Sequence, residues 1–459
     1  MEARTEDGSI SPTLVNLTNR PSVDVHQIPF NVTDPETTVF GPFWRIARVL
    51  GLVEGRTNGI DISSNGHKTL ASRIIPTVLI IASAAPILAR TIWLGSKMGQ
   101  YKLWSSDWAY CMLLFTFSLH SIVCFIMLKV FGRRQFFNRF FRKIGEASEN
   151  KIYQREKKSW QSLVVLCIVA VFFVYAMIWF NVENAIVSRE LSENNTVLPD
   201  YRKSMFGDPL WMLMPLDTLI TVWSAIISSV VLGLLFLLNN AMCKQYTHFH
   251  DQIREYSLDF QAENSGKKIN GSSLTRKNGR ASATQLSTSS STQQNSQPNL
   301  ADAQLLSRFD DRLMDFIALI KHVNESTEPL ITVSFMSAFF SYVVSVFAVR
   351  AFKSTFQTLQ FVTFYNWTAL SVAFVFITLL PLAKLHSKMR ETKNLILLEK
   401  VIWSEYDQQI HTIATNMVRR IDLVDYESRL FSAIRVTSAF FNLVMLFVPF
   451  FVDYVVTPQ

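Results

Sequence analysis

The sequence contains little cysteine, and none of it lies where an extracellular disulfide would form. The chain has 459 residues and four cysteines. Cys111, Cys124 and Cys167 fall within long apolar segments, and Cys243 follows another such segment. Disulfides form in oxidising, outward-facing loops, so this distribution excludes a disulfide-stabilised extracellular domain. The spacing also fits none of the cysteine patterns that bind structural zinc.

The common signatures of enzymes are missing as well. The sequence has no glycine-rich loop that would hold phosphates and no nucleophile elbow. Residues 247–251 place His248 and His250 close together, but no further metal ligand lies nearby in the sequence. We therefore expect a protein that is not an enzyme and that uses neither a cofactor nor a metal.

Charged residues are scarce, and long apolar runs separate them. Only 17% of the residues are charged, whereas 49% are hydrophobic and 36 are Phe. Seven apolar segments each approach the roughly 20 residues that a helix needs to cross a bilayer. They cover residues 74–94, 108–130, 162–181, 216–238, 329–350, 361–383 and 436–456. The sequence therefore predicts an all-α, polytopic membrane protein with seven transmembrane helices.

Lysine and arginine concentrate in alternate connections between these segments. Residues 131–160 contain nine of them and residues 384–430 contain eight, whereas residues 182–210 contain three against five acidic residues. Because cytoplasmic loops carry the excess of positive charge, we expect a cytoplasmic N-terminus and an extracellular C-terminus at the plasma membrane. Asn194 then begins a glycosylation sequence in an outer loop. The net charge of +8 reflects orientation and contact with membrane lipids rather than nucleic-acid binding.

The polar segments divide the chain into three parts. Residues 1–38 are polar and are predicted to form a disordered cytoplasmic N-terminus without a signal peptide. Residues 39–72 are predicted to contain a membrane-surface helix and a linker, although a helix packed on the protein's own cytoplasmic ends fits equally well. Residues 73–459 are predicted to form the seven-helix domain, with a disordered, Ser-rich cytoplasmic insert at 262–303.

Apolar residues recur at helical spacing beyond the apolar segments. One stripe consists of Leu306, Phe309, Leu313, Phe316 and Ile320. A second follows residues 395–424 without Pro or Gly. Because positions three and four apart share one helix face, these patterns predict amphipathic cytoplasmic helices that extend the fourth, fifth and sixth apolar segments. We expect the second stripe to be buried between such helices.

Ionisable residues within the apolar segments are costly and are therefore functional candidates. Arg90 lies near the outer end of the first segment and is expected to extend towards lipid head groups. Asp217 begins the fourth segment, where it either caps the helix or faces an outward cavity. His120 lies in the middle of the second segment and is expected to be a neutral side chain bonded to a neighbouring helix.

Aromatic residues in the outer halves of the segments suggest a binding site. Trp367 and Tyr342 lie deeper than an interfacial belt requires, and Asn366 adds a hydrogen-bonding group. Together with Trp179 and Asp217 they are predicted to converge on a pocket with an apolar wall and few polar groups. Such a pocket suits a small neutral molecule, and the same aromatic cluster would also suit a light or oxidant sensor.

The last apolar segment carries part of a family motif. Residues 442–450 consist of two residues, five apolar residues and the pair Pro449-Phe450. Invertebrate gustatory receptors have Thr-Tyr, five apolar residues and Gln-Phe there, so the spacer and Phe450 match, whereas Asn442, Leu443 and Pro449 replace Thr, Tyr and Gln. With its seven spans, inside N-terminus and short outer C-terminus, the chain resembles this family, which includes the insect odorant receptors. The replacements indicate a divergent, nematode-type branch.

The resemblance implies a homo- or heterotetrameric, ligand-gated, nonselective cation channel whose last spans line one pore. Phe447, Phe450 or Phe451 would form an apolar constriction, and Asp453 would attract cations at its mouth. The stimulus would be a small molecule or, as in the light- and peroxide-sensing members that nematodes have, light or an oxidant. The alternative is a seven-span receptor without a pore that signals through a partner protein. A transporter would show interrupted helices in matching halves, which this sequence does not display.

Overall fold

A computed structural model describes the greater part of the chain, within one compact unit, Pro35–Gln459. The described residues are 70–133, 135–147, 214–264, 299–354, 358–399, 402–403, 407–423 and 427–456, with positions 40, 44, 171, 175, 178, 179, 182 and 186. The predictions for residues 1–38, for most of 39–72 and 262–303, and for Asn194 lie outside them.

Eight α-helices and one small β-hairpin make up the described part of the chain. The helices are α1 (Leu70–Met98), α2 (Ser106–Arg133), α3 (Phe136–Ala147), α4 (Met214–Asn264), α5 (Asn299–Ala351), α6 (Thr358–Leu398), α7 (Gln408–Leu423) and α8 (Ser438–Val456). The strands are β1 (Arg429–Leu430) and β2 (Ile434–Arg435), which pair antiparallel.

Six of the seven predicted membrane segments lie within these helices, and the prediction of an all-α polytopic fold is confirmed. Segments long and apolar enough to cross a membrane lie in α2, α4, α5 and α6, and α8 contains a shorter apolar helix. The first predicted segment lies in α1. The third, residues 162–181, falls almost wholly outside the described residues.

Three helices are much longer than a bilayer requires. Helices α4, α5 and α6 contain 51, 53 and 41 residues. At 1.5 Å per residue, α4 and α5 are each about 75–80 Å long. The first predicted stripe follows the extension of α5, and all five of its residues are buried. The extension of α5 therefore buries the apolar face that the periodicity indicated.

The second stripe is divided between two helices, and the structure buries only part of it: Met417 and Ile421 are buried, whereas Leu398 is not. Helix α6 ends at Leu398, whose side chain is 79% exposed, and α7 begins only at Gln408. The Asp407 carboxylate accepts hydrogen bonds from the backbone N–H groups of Gln409 and Ile410, at 2.8 and 3.3 Å. An aspartate in this position caps a new helix, because it satisfies N–H groups that have no partner within the helix.

The β-hairpin connects α7 to α8 through a tight turn. In the three-residue loop between Leu430 and Ile434, Phe431 and Ser432 adopt positive φ angles of 55° and 56°, as the two central residues of a type I′ turn do. The Ser432 N–H and hydroxyl both donate to Glu328 Oε1 on α5, at 2.7 Å each. At the start of α8, Thr437 Oγ1 accepts the N–H of Phe440 at 3.0 Å. The hairpin thus ties the beginning of the last helix to α5.

Two residues of the predicted surface helix pack on the protein itself. Phe40 and Trp44 are buried and stack at 5.3 Å between ring centroids. Phe137 and Phe141 of α3 meet the two rings edge-on at 5.1–6.2 Å. Such edge-to-face pairs add to the stabilisation by burial. At these two positions the contacts are with α3.

Candidate functional site

A buried polar network crosses the middle of the helix bundle. His120 of α2 is 1% exposed, and its two ring nitrogens contact Ser228 Oγ of α4 at 3.2 Å and Ser334 Oγ of α5 at 3.0 Å. Ser121 Oγ contacts Ser228 Oγ at 2.9 Å and donates to the Ser224 carbonyl at 3.1 Å. The expectation that His120 bonds to a neighbouring helix is confirmed. Because the network is satisfied on both sides of the ring, it fixes the positions of three helices.

A cavity lies directly beside this network, and we call it the Trp367 cavity. It has an empty volume of about 290 Å³. Its lining consists of Phe117, His120, Ser337, Ala338, Ser341, Trp367, Leu370, Ser371 and Phe374. Trp367 is 5% exposed and meets the Phe117 ring edge-on at 6.0 Å. Aromatic walls with a few hydroxyl and imidazole groups are typical of sites for small neutral molecules.

A second cavity lies between α5, α6 and α8, and we call it the α8 cavity. It has an empty volume of about 370 Å³. Its lining consists of Phe335, Ala338, Phe339, Tyr342, Ser371, Val372, Val375, Val444, Met445, Val448 and Pro449. Ala338 and Ser371 line both cavities. A single layer of side chains on α5 and α6 therefore separates the two spaces.

The structure brings only some of the predicted ligand residues together. Trp367 and Tyr342 line the two neighbouring cavities. Asn366 is half-buried on α6. Trp179 is half-buried, and its ring lies 6.3 Å from that of Tyr175. Neither residue lines either of the two cavities.

Asp217 forms an ion pair that the sequence did not indicate. Arg90 Nη2 lies 3.6 Å from Asp217 Oδ2, and Nη1 donates to the Asp217 carbonyl at 3.3 Å and to the Thr221 hydroxyl. Arg90 is 5% exposed, so the expectation that it extends to lipid head groups is wrong. The guanidinium is held between α1 and α4, where the carboxylate offsets its charge.

Two of the four predicted gate residues lie on an uncovered face of α8. Phe447 and Phe450 are 57% and 72% exposed, and Leu443, Leu446 and Tyr454 on the same helix are also exposed. The side chains of Phe451 and Asp453 lie outside the described part of the structure. Exposure here means that the chain itself does not cover these groups, so lipid or another subunit would contact them in a membrane. An apolar surface of this kind marks an interaction site.

A family model of Caenorhabditis proteins of unknown function, DUF267, matches residues 39–265 and 290–452. The chain belongs to this family. No curated protein matches it in sequence.

Solved structures share the fold of the family member described here. It is similar to the insect olfactory receptor OR5 from Machilis hrabei in complex with eugenol, with a TM-score of 0.56, 10% identity, and coverage of 92% of this chain and 100% of that one. The chain is also similar to a second structure of the insect olfactory receptor OR5 from Machilis hrabei. The TM-score is 0.52 and the identity 10%, and the match covers 90% of this chain and 96% of that one. The likeness confirms the seven-helix membrane fold.

Sequence reasoning missed most of the Trp367 cavity, although one signal was present. Ser334, Ser337, Ser341 and Ser345 of α5 are spaced three or four residues apart. In an otherwise apolar segment this spacing places hydroxyl groups on one helix face. Phe117 and Phe374 gave no comparable signal, because Phe is common throughout the sequence.

The helical extensions are held by their own polar contacts. Arg420 of α7 pairs with Asp310 of α5, and Lys393 of α6 pairs with Asp422 at 2.7 Å. His250 Nδ1 contacts Thr392 Oγ1 at 2.9 Å. Burial and the nearby Lys388 lower the pKa of His250 below its ordinary value. These contacts join α4, α5, α6 and α7 outside the apolar segments.

Proposed function

We propose that this protein is a chemosensory membrane receptor of the gustatory type and a subunit of a ligand-gated, nonselective cation channel. The observation that carries the proposal is the Trp367 cavity, which lies in the middle of a fold shared with an insect olfactory receptor. The aromatic walls of this cavity are proposed to contact the stimulus, and this role requires binding rather than catalysis.

The lining of the Trp367 cavity favours a small, uncharged stimulus. A charged molecule would lose its hydration among Phe117, Trp367 and Phe374 without gaining a counter-charge. The hydroxyl groups of Ser337 and Ser341 can each donate and accept a hydrogen bond. A molecule with an aromatic or alkyl body and one or two polar groups fits this environment. Eugenol, which the similar receptor binds, has this chemistry.

The uncovered face of α8 supports a pore formed by several copies. Four α8 helices around one axis would bury Phe447 and Phe450 against each other, and the resulting apolar constriction would close by excluding water. Phe451 and Asp453 are proposed to complete the gate and its cation-attracting mouth. Homomeric and heteromeric tetramers would both use this face.

The proposed orientation follows the distribution of positive charge. The N-terminus is proposed to lie in the cytoplasm, the C-terminus outside the cell, and Asn194 in a glycosylated outer loop. Epitope tags at the two termini should therefore stain oppositely in unpermeabilised cells. External staining of an N-terminal tag would contradict both the orientation and the receptor-channel proposal.

Currents from cells that express this chain alone test the proposed function. Small alcohols and phenols, eugenol among them, together with light and peroxide would form the stimulus panel. We expect a cation current with at least one small molecule, and we expect Trp367→Ala to abolish it while surface expression is retained. Trp104→Ala is the matched control, because Trp104 is 46% exposed and lines neither cavity.

A conservative variant separates the two kinds of stimulus. A binding cavity should partly tolerate Trp367→Phe, because Phe keeps an aromatic wall. A sensor that depends on indole absorption should lose its response with the same change. A response in expressing cells, combined with no current from the purified and reconstituted protein, would favour a receptor that signals through a partner.

A further inference from the structure

The α8 cavity has a composition that differs from that of the Trp367 cavity. Its lining is almost entirely aliphatic and aromatic, and it has no imidazole and a single serine. We propose that it is a separate binding site for an uncharged molecule with an apolar body and one hydroxyl group. This binding site is independent of the identity of the stimulus at Trp367.

The side chains that line the α8 cavity determine that the main part of the ligand is apolar. Phe335, Val375 and Val444 are buried on three different helices, and Phe339 and Val372 are half-buried beside them. The space between them has an empty volume of about 370 Å³, which includes the part that opens to the outside of the bundle. A charged group would be desolvated there without a partner, so the ligand is neutral.

A proline in α8 explains why the proposed ligand carries one hydroxyl group. Pro449 lies inside α8 and has no backbone N–H, so the carbonyl of Met445, four residues earlier, lacks its usual helical donor. Both residues line the cavity. A ligand hydroxyl that reached this carbonyl would replace the missing donor. The Tyr342 hydroxyl, which also lines the cavity, provides a second polar contact.

The other hydroxyl of the lining is already engaged within its own helix. Ser371 Oγ donates to the Trp367 carbonyl at 2.8 Å. It therefore does not call for a second hydrogen-bonding group on the ligand. This distinguishes the α8 cavity from the Trp367 cavity, where His120 and two further serines offer several polar contacts.

The position of the α8 cavity gives its occupant an effect on the last helix. Four lining residues, from Val444 to Pro449, belong to α8, and the remaining ones belong to α5 and α6. A molecule in this space would contact α8 on the side opposite to the exposed Phe450 face. If α8 lines a pore, as proposed above, the occupant would modulate the current evoked through the Trp367 cavity. Only this effect on current rests on the proposed function.

Photolabelling of the full chain in phosphatidylcholine nanodiscs tests the binding site. The probe is decanol that carries a diazirine on its alkyl chain, and mass spectrometry locates the label. We expect labelling of residues that line the α8 cavity, and competition by unlabelled decanol. Decyl methyl ether, which has the same apolar body without a donor, should compete at least fivefold less well.

Two valines of α6 provide a matched pair of variants. Val372→Phe fills the cavity and should reduce labelling at least fivefold, whereas Val362→Phe, at a position 37% exposed and outside the lining, should leave it unchanged. Pro449→Ala restores an N–H at position 449 and should reduce the difference between decanol and decyl methyl ether in their competition with the probe. Each variant is compared only where gel filtration shows a monodisperse protein.

Several results would overturn the proposal. A phosphatidylcholine with a diazirine in its acyl chain tests whether lipid chains fill the space; labelling by this lipid together with no labelling by decanol would exclude the site. Equal competition by alcohol and ether would exclude the role of the hydroxyl. Because labelling needs no current, a silent channel would contradict the proposed function and leave this binding result intact. Labelling that Trp367→Ala abolishes would show that the two cavities are one site.

Discussion

The His120 network allows a sharp test of how α2, α4 and α5 are held together. Replacing His120 by Leu keeps about the same volume and removes the hydrogen bonds of the ring to Ser228 and Ser334. The consequences for the two serines differ. Ser228 keeps its contact with Ser121 at 2.9 Å, whereas His120 is the partner that the structure shows for the Ser334 hydroxyl. Ser334 would then be buried without a hydrogen-bond partner.

The expected magnitude follows from this asymmetry. An orphaned buried hydroxyl costs about 1–3 kcal/mol, and a lost hydrogen bond between membrane helices costs about 0.6 kcal/mol on average. We therefore expect His120→Leu to lower the free energy of unfolding by about 2–3 kcal/mol. Adding Ser334→Ala should restore about 1 kcal/mol, because it removes the orphaned group. Adding Ser228→Ala should restore less, because Ser228 was not orphaned.

Equilibrium unfolding of the purified chain in mixed micelles, followed by Trp fluorescence, measures these differences. The wild type and the three variants are compared under the same conditions, so only their relative free energies of unfolding matter. A further loss of stability on adding Ser334→Ala to His120→Leu would refute the reasoning. Equal recovery by the two serine variants would also refute it, since the argument depends on their different partners.

Other features of the structure lead to further expectations. Asp407→Ala removes the cap of α7 and should lower the free energy of unfolding by about 1 kcal/mol. Gln408→Ala, at the exposed neighbouring position, leaves the cap in place and should cost less in the same assay. Because burial lowers the pKa of His250, the folded state favours the neutral imidazole. The free energy of unfolding should therefore be highest above pH 6.5 and should decrease below it, and His250→Gln should flatten this pH dependence. Phe450→Ser should raise the current without stimulus, and unchanged currents at full surface expression would exclude α8 as the pore helix.

Local patterns were sufficient to predict most of the helices. The apolar segments of α2, α4, α5 and α6 are long and continuous, and a segment of this kind has few alternatives to a membrane helix, because its backbone must hydrogen-bond internally. The stripe in α5 likewise predicted a buried face, since residues three and four apart always share one side of a helix. The break before α7 was missed because apolar spacing continued through it, although Asp407 was the local signal.

The site depended on contacts between residues that are far apart in the sequence. Trp367, which its depth in the segment singled out, lines the cavity, but its neighbours Phe117 and Ser337 come from two other helices. The Arg90–Asp217 pair spans 127 positions. Periodicity shows which face of a helix is apolar, but it does not show which other helix covers that face or at what height.

The sequence by itself therefore determined the membrane class, the existence of helical extensions beyond the apolar segments and the buried stripe of α5, because each of these follows from composition and spacing along a single helix. Only the tertiary structure decided that His120 meets Ser228 and Ser334, and that one layer of side chains separates the Trp367 cavity from the α8 cavity. The physical reason is that a helix packs by the shape of its whole surface. Translations of a few ångströms along a neighbour, which leave every local pattern unchanged, decide which polar groups meet and where an empty space remains.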